Sequence, residues 1–132
     1  MVRALQGIGF IAAAGILAVA CGSSSSSSPS APSGGTDGPI AQTFTITSAG
    51  ITPNTATVPQ GSRVTFTNND NKTHEMDSNP HPVHTDCPAL NVGQLGPGQS
   101  RTSQNLTSVR SCGVHDHLDD TNPLWHATIT VQ

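Results

Sequence analysis

An alternating pattern of β-forming residues stands in the middle of the chain, in Val58-Pro-Gln-Gly-Ser-Arg-Val-Thr-Phe-Thr-Asn-Asn-Asp70. The apolar residues Val64 and Phe66 alternate with polar ones, and turn-forming residues flank the run on both sides. A period of two places alternate side chains on one face of a strand, whereas a helix needs a period of 3.6. The pattern therefore predicts a short, half-buried β-strand between two turns.

Similar runs recur along the chain, and most are bounded by Gly, Pro or Asn. Residues 77–98 contain four Pro and three Gly, which predicts a structured loop with helix limited to a turn or two. We therefore predict an all-β domain in which several short strands surround a two-sheet core. The predicted strands lie at residues 43–47, 55–58, 63–67, 101–106, 109–114 and 127–131.

The N-terminus has the form of an export signal. A positive start at Arg3 precedes an apolar run, and small residues lead to Cys21, an arrangement that resembles the lipobox of bacterial lipoproteins. We predict a signal peptide over residues 1–20, then a lipidated Cys21 and a disordered Ser/Pro/Gly tether over 21–42, then a folded domain over 43–132. The lipid would anchor the protein to the bacterial membrane on its extracytoplasmic side, in the periplasm or at the cell surface. An ordinary cleaved signal with a chance cysteine is the alternative.

The net charge and the histidine content restrict the classes of function that fit this chain. The chain has five Lys and Arg against eight Asp and Glu, a formal net charge of −3. This balance argues against nucleic acid as a partner, because phosphates demand a basic surface. All six His lie between His74 and His126. Since imidazole is the commonest metal ligand in proteins, this concentration points to metal binding.

The order of these motifs resembles the pattern of cupredoxins, the family of plastocyanin and azurin. A strand ending in Asn68-Asn-Asp70 is followed by His74, and Cys112-Gly-Val-His115 precedes the last predicted strand. The resemblance spans residues 43–132 and implies a Greek-key β-sandwich or barrel that binds copper and transfers electrons. It further implies that His74, Cys112 and His115 are the equatorial copper ligands.

One element of the cupredoxin pattern has no counterpart. The family's axial Met should lie shortly before the last strand, where this chain has Leu124, Trp125 and His126. The only Met beyond the signal is Met76. Both His126 and Met76 are therefore candidates for an additional ligand.

Coordination chemistry supports a metal site independently of the resemblance. Imidazole and thiolate together select copper, with zinc as a second candidate. His117 lies two residues beyond His115, so in an extended segment both would share a side and could face one ion. We predict His117 as the fourth ligand, beside His74, Cys112 and His115. The alternative is that His115 and His117 are solvated loop residues.

A second group of donors follows His74 in the spacing His81-x2-His84-x2-Cys87. Pro80 and Pro82 restrict the backbone there, so three donor atoms could meet on a turn. The group could form a second metal site or supply an outer ligand to the first. It could equally be a Pro-rich lid whose His are merely exposed.

Cys112 can belong either to a disulfide or to the copper site, but not to both. If Cys21 is lipidated, Cys87 and Cys112 remain as a pair, and in an oxidising compartment the default for such a pair is a disulfide. A disulfide would remove the thiolate from copper. The metal would then depend on His74, His115 and His117, with His84 as a further donor.

Three functions are compatible with these residues. The first is a membrane-tethered copper protein that transfers electrons or handles copper, with a redox partner or a copper donor or acceptor as its partner. The second is a metal-free, disulfide-stabilised β-sandwich with a structural or interaction role. The third is an enzyme that uses His-bound copper or zinc, but the chain offers no Ser-His-Asp or paired-carboxylate arrangement, so we expect a carrier or binding protein rather than an enzyme.

Overall fold

The structure, a computed structural model, describes residues 36–132. The predicted signal peptide, Cys21 and the tether up to residue 35 lie outside the described residues. Strand β1 begins at Ile40, so the last residues assigned to the tether already belong to the sheet.

Nine strands form two sheets that pack face to face. The four-stranded sheet has the order β2-β1-β4-β7, and the five-stranded sheet has the order β3-β9-β8-β5-β6. Both sheets are mixed, since β1 pairs with β4 and β3 with β9 in parallel, while the other pairs are antiparallel. The strands are β1 (Ile40–Thr47), β2 (Gly50–Thr52), β3 (Thr55–Val58), β4 (Arg63–Asn68), β5 (His74–Ser78), β6 (Gly93–Leu95), β7 (Ser100–Thr102), β8 (Arg110–Asp116) and β9 (Ala127–Val131).

The core lies between the sheets and follows the alternation read from the sequence. In β4, Val64 and Phe66 are fully buried while the residues between them are partly exposed. Phe66 stacks on Phe44 of β1 with a centroid distance of 5.3 Å. From the other sheet, Val114 and Ile129 are buried against the same cluster. The predicted all-β, two-sheet architecture is confirmed.

The described residues contain helix only as three 3₁₀ turns, at Pro88–Leu90, His117–Asp119 and Pro123–Trp125. Two of these begin at a proline, which fits the first turn of a helix because it has no N–H to leave unpaired. None of the helices in this part of the chain is long and apolar enough to cross a membrane.

Three strands, β2, β5 and β6, are not among those predicted from the sequence. The segment 77–98, predicted as a loop, contains the end of β5 and all of β6. Strand β5 lacks an apolar–polar alternation because its buried residues include His74 and Ser78, which are polar. Their burial is made tolerable by hydrogen bonds, so hydrophobicity alone does not reveal the strand.

Candidate metal centre

Strand β8 divides its side chains between the two faces of the sheet. Cys112 and Val114 belong to the hydrophobic core, so His115 points to the opposite, outer face. On that face His115 lies directly across from Asp77 of β5. His117 follows two residues later, in a 3₁₀ turn at the end of the strand.

The loop over residues 79–92, which we call the 79–92 loop, carries two more imidazoles to His115. Its first residue is fixed on β8, because Asn79 N–H donates to the carbonyl of Gly113 at 2.9 Å. Further along, the carbonyl of His84 accepts from Ser78 Oγ at 3.1 Å. His84 itself has a φ of 52°, in the left-handed region that residues with a Cβ seldom occupy. The loop thus folds back and places His81 and His84 beside β8.

Four imidazoles meet at this place. One ring nitrogen from each lies within 4.8 Å of the corresponding nitrogen in the other three rings. The residues, which we call the four-His cluster, are His81, His84, His115 and His117.

His115 is the most deeply buried member, with 2% of its surface exposed. Its Nδ1 is 2.8 Å from Oδ1 of Asn79, so Nδ1 carries the hydrogen and donates it. Nε2 then holds a lone pair, and it is the one buried side-chain nitrogen or oxygen of residues 36–132 that has no hydrogen-bond partner. Burial lowers the pKa of His115, and the nearby His84 lowers it further. The ring is therefore held neutral, the form in which imidazole binds a metal.

His84 and His117 are in direct contact. Nε2 of His84 is 2.9 Å from Nδ1 of His117. Nδ1 of His84 donates to the carbonyl of Ser78 at 3.0 Å, and Oδ2 of Asp77 lies 3.8 Å away from the same nitrogen. Because a carbonyl only accepts, the lone pair of neutral His84 is on Nε2, toward His117.

His81 completes the cluster from the solvent side. Its ring centroid is 4.8 Å from that of His117 and 5.6 Å from that of His115. Its side chain is 36% exposed, and Nε2 lies 3.9 Å from Oδ2 of Asp120. The cluster therefore has a buried end at His115 and an open end at His81.

The donor set fits a first-row transition metal. Four neutral imidazoles suit copper, nickel or zinc and offer none of the oxygen ligands that calcium and magnesium require. Two imidazole nitrogens bound to one ion at about 2.0–2.1 Å lie roughly 3 Å apart, close to the 2.9 Å between His84 and His117. The unpartnered Nε2 of His115 gives the same indication, since an ion would satisfy a buried lone pair that the protein leaves free.

No family model matches the chain, and no curated protein matches it. Solved structures do match. A purple cupredoxin from Nitrosopumilus maritimus superposes with a TM-score of 0.56 at 17% identity, covering 69% of this chain and 99% of that one. The oxidised plastocyanin of Dryopteris crassirhizoma gives 0.54 at 15% identity, covering 68% and 99%. Auracyanin from Roseiflexus castenholzii, reduced with dithionite, gives 0.51 at 17% identity, covering 72% and 99%.

The chain has a cupredoxin fold. The fold inferred from the sequence motifs is thus confirmed by the architecture. The ligand set implied by the same motifs differs from the set of residues that this fold brings together.

Cys112 does not provide a thiolate. Its sulfur is bonded to Cys87, as the default for a cysteine pair suggested. The Cys112-x2-His115 spacing also works against a shared site here, because β8 continues as an extended strand through Asp116. Residues three apart in a strand point to opposite faces, so the sulfur lies on the core side and the imidazole on the outer side.

His74 lies on the core side of the sheet, apart from the four-His cluster. Nδ1 donates to Oδ2 of Asp116 at 2.8 Å, and Nε2 lies 3.1 Å from Oδ2 of Asp70. The ring packs on Trp125 with a centroid distance of 4.6 Å. Both nitrogens are thus occupied by buried carboxylates, and neither is free for an ion. This is the second difference from the predicted ligand set.

The remaining candidates have separate places. Met76 is buried in the hydrophobic core. His126 is exposed, and its Nε2 donates to the carbonyl of Asp120 at 2.7 Å. Its ring centroid lies 6.0 Å from that of His115, so it borders the cluster without belonging to it.

The combination of His81 and His84 with His115 and His117 was not predicted as one site. The sequence assigns the second pair to the copper site, and the first pair either to a second metal site or to an outer ligand of the copper site, with His84 as a further donor. The pairing of β5 with β8 is the feature that unites them, because it places the loop after Ser78 beside the end of β8. A strand signal for β5 would have been needed to foresee that contact.

Proposed function

We propose that the protein is an extracytoplasmic copper-binding protein of the cupredoxin fold that holds copper through the four-His cluster. The observation that carries the proposal is the buried, unpartnered Nε2 of His115, which is surrounded by three other imidazoles. A buried polar atom without a partner destabilises a fold unless a ligand satisfies it. Copper is favoured over zinc because the fold is that of copper proteins and four imidazoles suit Cu(II).

Within this site each residue has a distinct role. His115 and His84 present lone pairs whose direction is fixed by hydrogen bonds from their other ring nitrogens to Asn79 and Ser78. His117 lies against His84 and supplies a further ring nitrogen, and His81 lies at the open end, where an ion would enter or leave. Bound copper would supply a centre that exchanges one electron between Cu(II) and Cu(I).

Copper handling is the finer part of the proposal, in preference to electron transfer. Electron-transfer copper sites depend on a thiolate and a weak axial ligand, and the two cysteines of residues 36–132 are joined as a disulfide. Four imidazoles stabilise Cu(II), and the open end at His81 suits ligand exchange with a donor or acceptor of copper. The export signal and Cys21 support a lipid anchor that keeps this activity at the membrane surface.

The test is a copper titration of the purified domain over residues 36–132. We expect one Cu(II) per chain, with nitrogen couplings in the electron paramagnetic resonance spectrum. At a hundredfold excess of copper over its dissociation constant, the folded state should gain about 2.7 kcal/mol. His115→Ala should remove most of this gain and His81→Ala a smaller part, because His81 is at the open end.

His126→Ala is the matched control, since His126 is a neighbouring imidazole outside the cluster. It should leave the copper-induced stabilisation unchanged. Equal stabilisation of the wild type and the folded His115→Ala variant would refute the assignment.

A further inference from the structure

The disulfide joins the two segments that supply the four-His cluster. Cys87 stands in the 79–92 loop, three residues after His84, and Cys112 stands in β8, three residues before His115. The remaining links between loop and strand include the bond from Asn79 N–H to the carbonyl of Gly113. The disulfide therefore cross-links the segment that carries His81 and His84 to the strand that leads to His115 and His117.

A cavity of about 170 Å³ opens beside this disulfide, and both cysteines line it. Exposed residues, Ser108 and Arg110 among them, line it as well, so the cavity reaches the solvent. A cavity of about 150 Å³ is large enough to take a benzene molecule. This one can therefore admit the thiol of a small molecule or of a cysteine side chain to a disulfide that is otherwise buried.

The two cysteines differ in exposure. Cys87 is 6% exposed and lies in a loop, whereas Cys112 is 2% exposed and lies within a strand that is paired on both sides. Arg110, two residues from Cys112, contributes a positive charge to the cavity, and Asp86 contributes a negative one. A neighbouring cation favours an incoming thiolate and stabilises a leaving one. The geometry thus favours attack at Cys87 with Cys112 as the leaving group.

We propose that Cys87–Cys112 is a thiol–disulfide exchange site whose reduction by a dithiol loosens the four-His cluster. One thiolate of the dithiol attacks Sγ of Cys87, the Cys87–Cys112 bond breaks, and Cys112 leaves as a thiolate that then takes up a proton. The second thiol of the dithiol then attacks the dithiol's other sulfur, which is bonded to Cys87 in the mixed disulfide, and releases Cys87 as a thiol. Two electrons pass from the dithiol to the protein, and the dithiol becomes a disulfide.

The consequence for copper rests on the proposed function. Reduction removes the covalent link between the 79–92 loop and β8, so His81 and His84 are held less firmly against the strand. The freed Cys112 thiol cannot replace these ligands, because it faces the core while His115 faces outward. Reduction therefore lowers copper affinity, and the oxidation state of the disulfide determines whether the protein retains or releases the ion.

Exchange is tested first, on metal-free wild-type protein without denaturant. Dithiothreitol should reduce the disulfide at a rate proportional to its concentration and insensitive to low urea. Glutathione, a monothiol, should form its mixed disulfide on Cys87, as mapped by peptide mass spectrometry. Arg110→Gln should slow the reaction about tenfold, while Arg101→Gln, an exposed arginine beside a different cavity, should not. A rate that saturates at the unfolding rate, or equal rates for the two variants, would overturn the exchange site.

The source of the dithiol is distinguished in the same assay. Dithiothreitol represents a small dithiol, and reduced thioredoxin represents a protein with a Cys-x-x-Cys pair. Since the cavity admits a single thiol-bearing side chain, both should react. Reaction with dithiothreitol alone would assign the site to small thiols and still support exchange. Reaction with neither would overturn it.

The coupling to copper is tested with Cys87→Ser/Cys112→Ser, which mimics the reduced state. We expect the variant to keep its far-ultraviolet circular dichroism and to bind Cu(II) at least about tenfold more weakly than the oxidised wild type. Unchanged affinity, or an unfolded variant, would overturn the coupling. Absence of copper binding by the oxidised wild type would instead refute the proposed function and leave the exchange result standing.

Discussion

Asn79 lies so close over Gly113 that a Cβ at position 113 would overlap its side-chain amide. The same amide holds His115 through Oδ1. Gly113 therefore acts on the four-His cluster indirectly, by leaving room for the residue that fixes the orientation of the buried imidazole.

Gly113→Ala should displace Asn79 and free the His115 ring to rotate. We expect copper affinity to fall about tenfold to a hundredfold, as for other residues that support metal ligands. A competition titration measures the change, and ¹⁵N spectra of the metal-free protein should show mixed tautomers of His115. Gly96→Ala is the control, because a Cβ there meets nothing closer than 3.5 Å. Wild-type affinity in the Gly113 variant would contradict this role.

His74→Gln should weaken the fold and spare the metal. The substitution removes the contacts that the buried ring makes with the carboxylates of Asp116 and Asp70, which should lower the free energy of unfolding by about 1–3 kcal/mol. Urea denaturation measures this loss. Copper stoichiometry, measured on the folded fraction, should remain one per chain. Loss of copper binding by folded protein would restore His74 as a ligand.

Copper-loaded protein should show no intense band from sulfur-to-copper charge transfer. The sulfurs are joined in the disulfide, and Cys112 faces the core, so the band should stay absent after mild reduction and reloading with copper. Absorption spectra before and after reduction test both statements. A strong band in the unreduced protein would mean that Cys112 is a free thiolate beside copper.

Acid should destabilise the metal-free domain in two steps. Burial lowers the pKa of His115 in the folded domain, so as the pH falls this imidazole is protonated in the unfolded chain before it is protonated in the folded one. The free energy of unfolding therefore declines as the pH falls below about 6.5. The hydrogen bond from Asn71 N–H, and after it the contact with His74, lowers the pKa of Asp70 in the folded domain. Stability is therefore lost again when the pH falls below the ordinary pKa of an Asp. Urea midpoints measured against pH test this order. His115→Phe should remove the upper step, whereas His126→Gln should keep it.

Cys21→Ser should release the protein from the membrane without unfolding the domain. Stable attachment requires the acyl chains that a lipidated cysteine carries. Cell fractionation together with circular dichroism of the released protein measures both effects. Membrane association that persists in the variant after removal of the signal would contradict the lipid anchor.

Much of the fold could be predicted because its strands alternate apolar and polar residues, as Val64 and Phe66 show in β4. The relation of His115 to His117 also followed from the period of a strand, and the structure brings the two together. The ligand set could not be predicted in full, because it depends on where β8 ends. The Cys112-x2-His115 motif joins its two residues only if the chain turns between them, and here the strand continues to Asp116.

The role of His74 could not be predicted, for a different reason. Its partners Asp70 and Asp116 are 46 residues apart in sequence, and only the packing of the sheet brings them to one ring. Long-range pairing of this kind leaves no periodic signal.

The in-register pairing of β5 with β8 makes the site sensitive to chain length. A shift of one residue in a strand exchanges its two faces, so a single deletion between Cys112 and His115 would turn the imidazoles inward and break the cluster. A single insertion at the same place would have the same result, because either change makes the spacing even and puts the cysteine and the histidine on one side. One codon gained or lost at this place would thus separate His115 and His117 from His81 and His84, with all four His still present in the sequence.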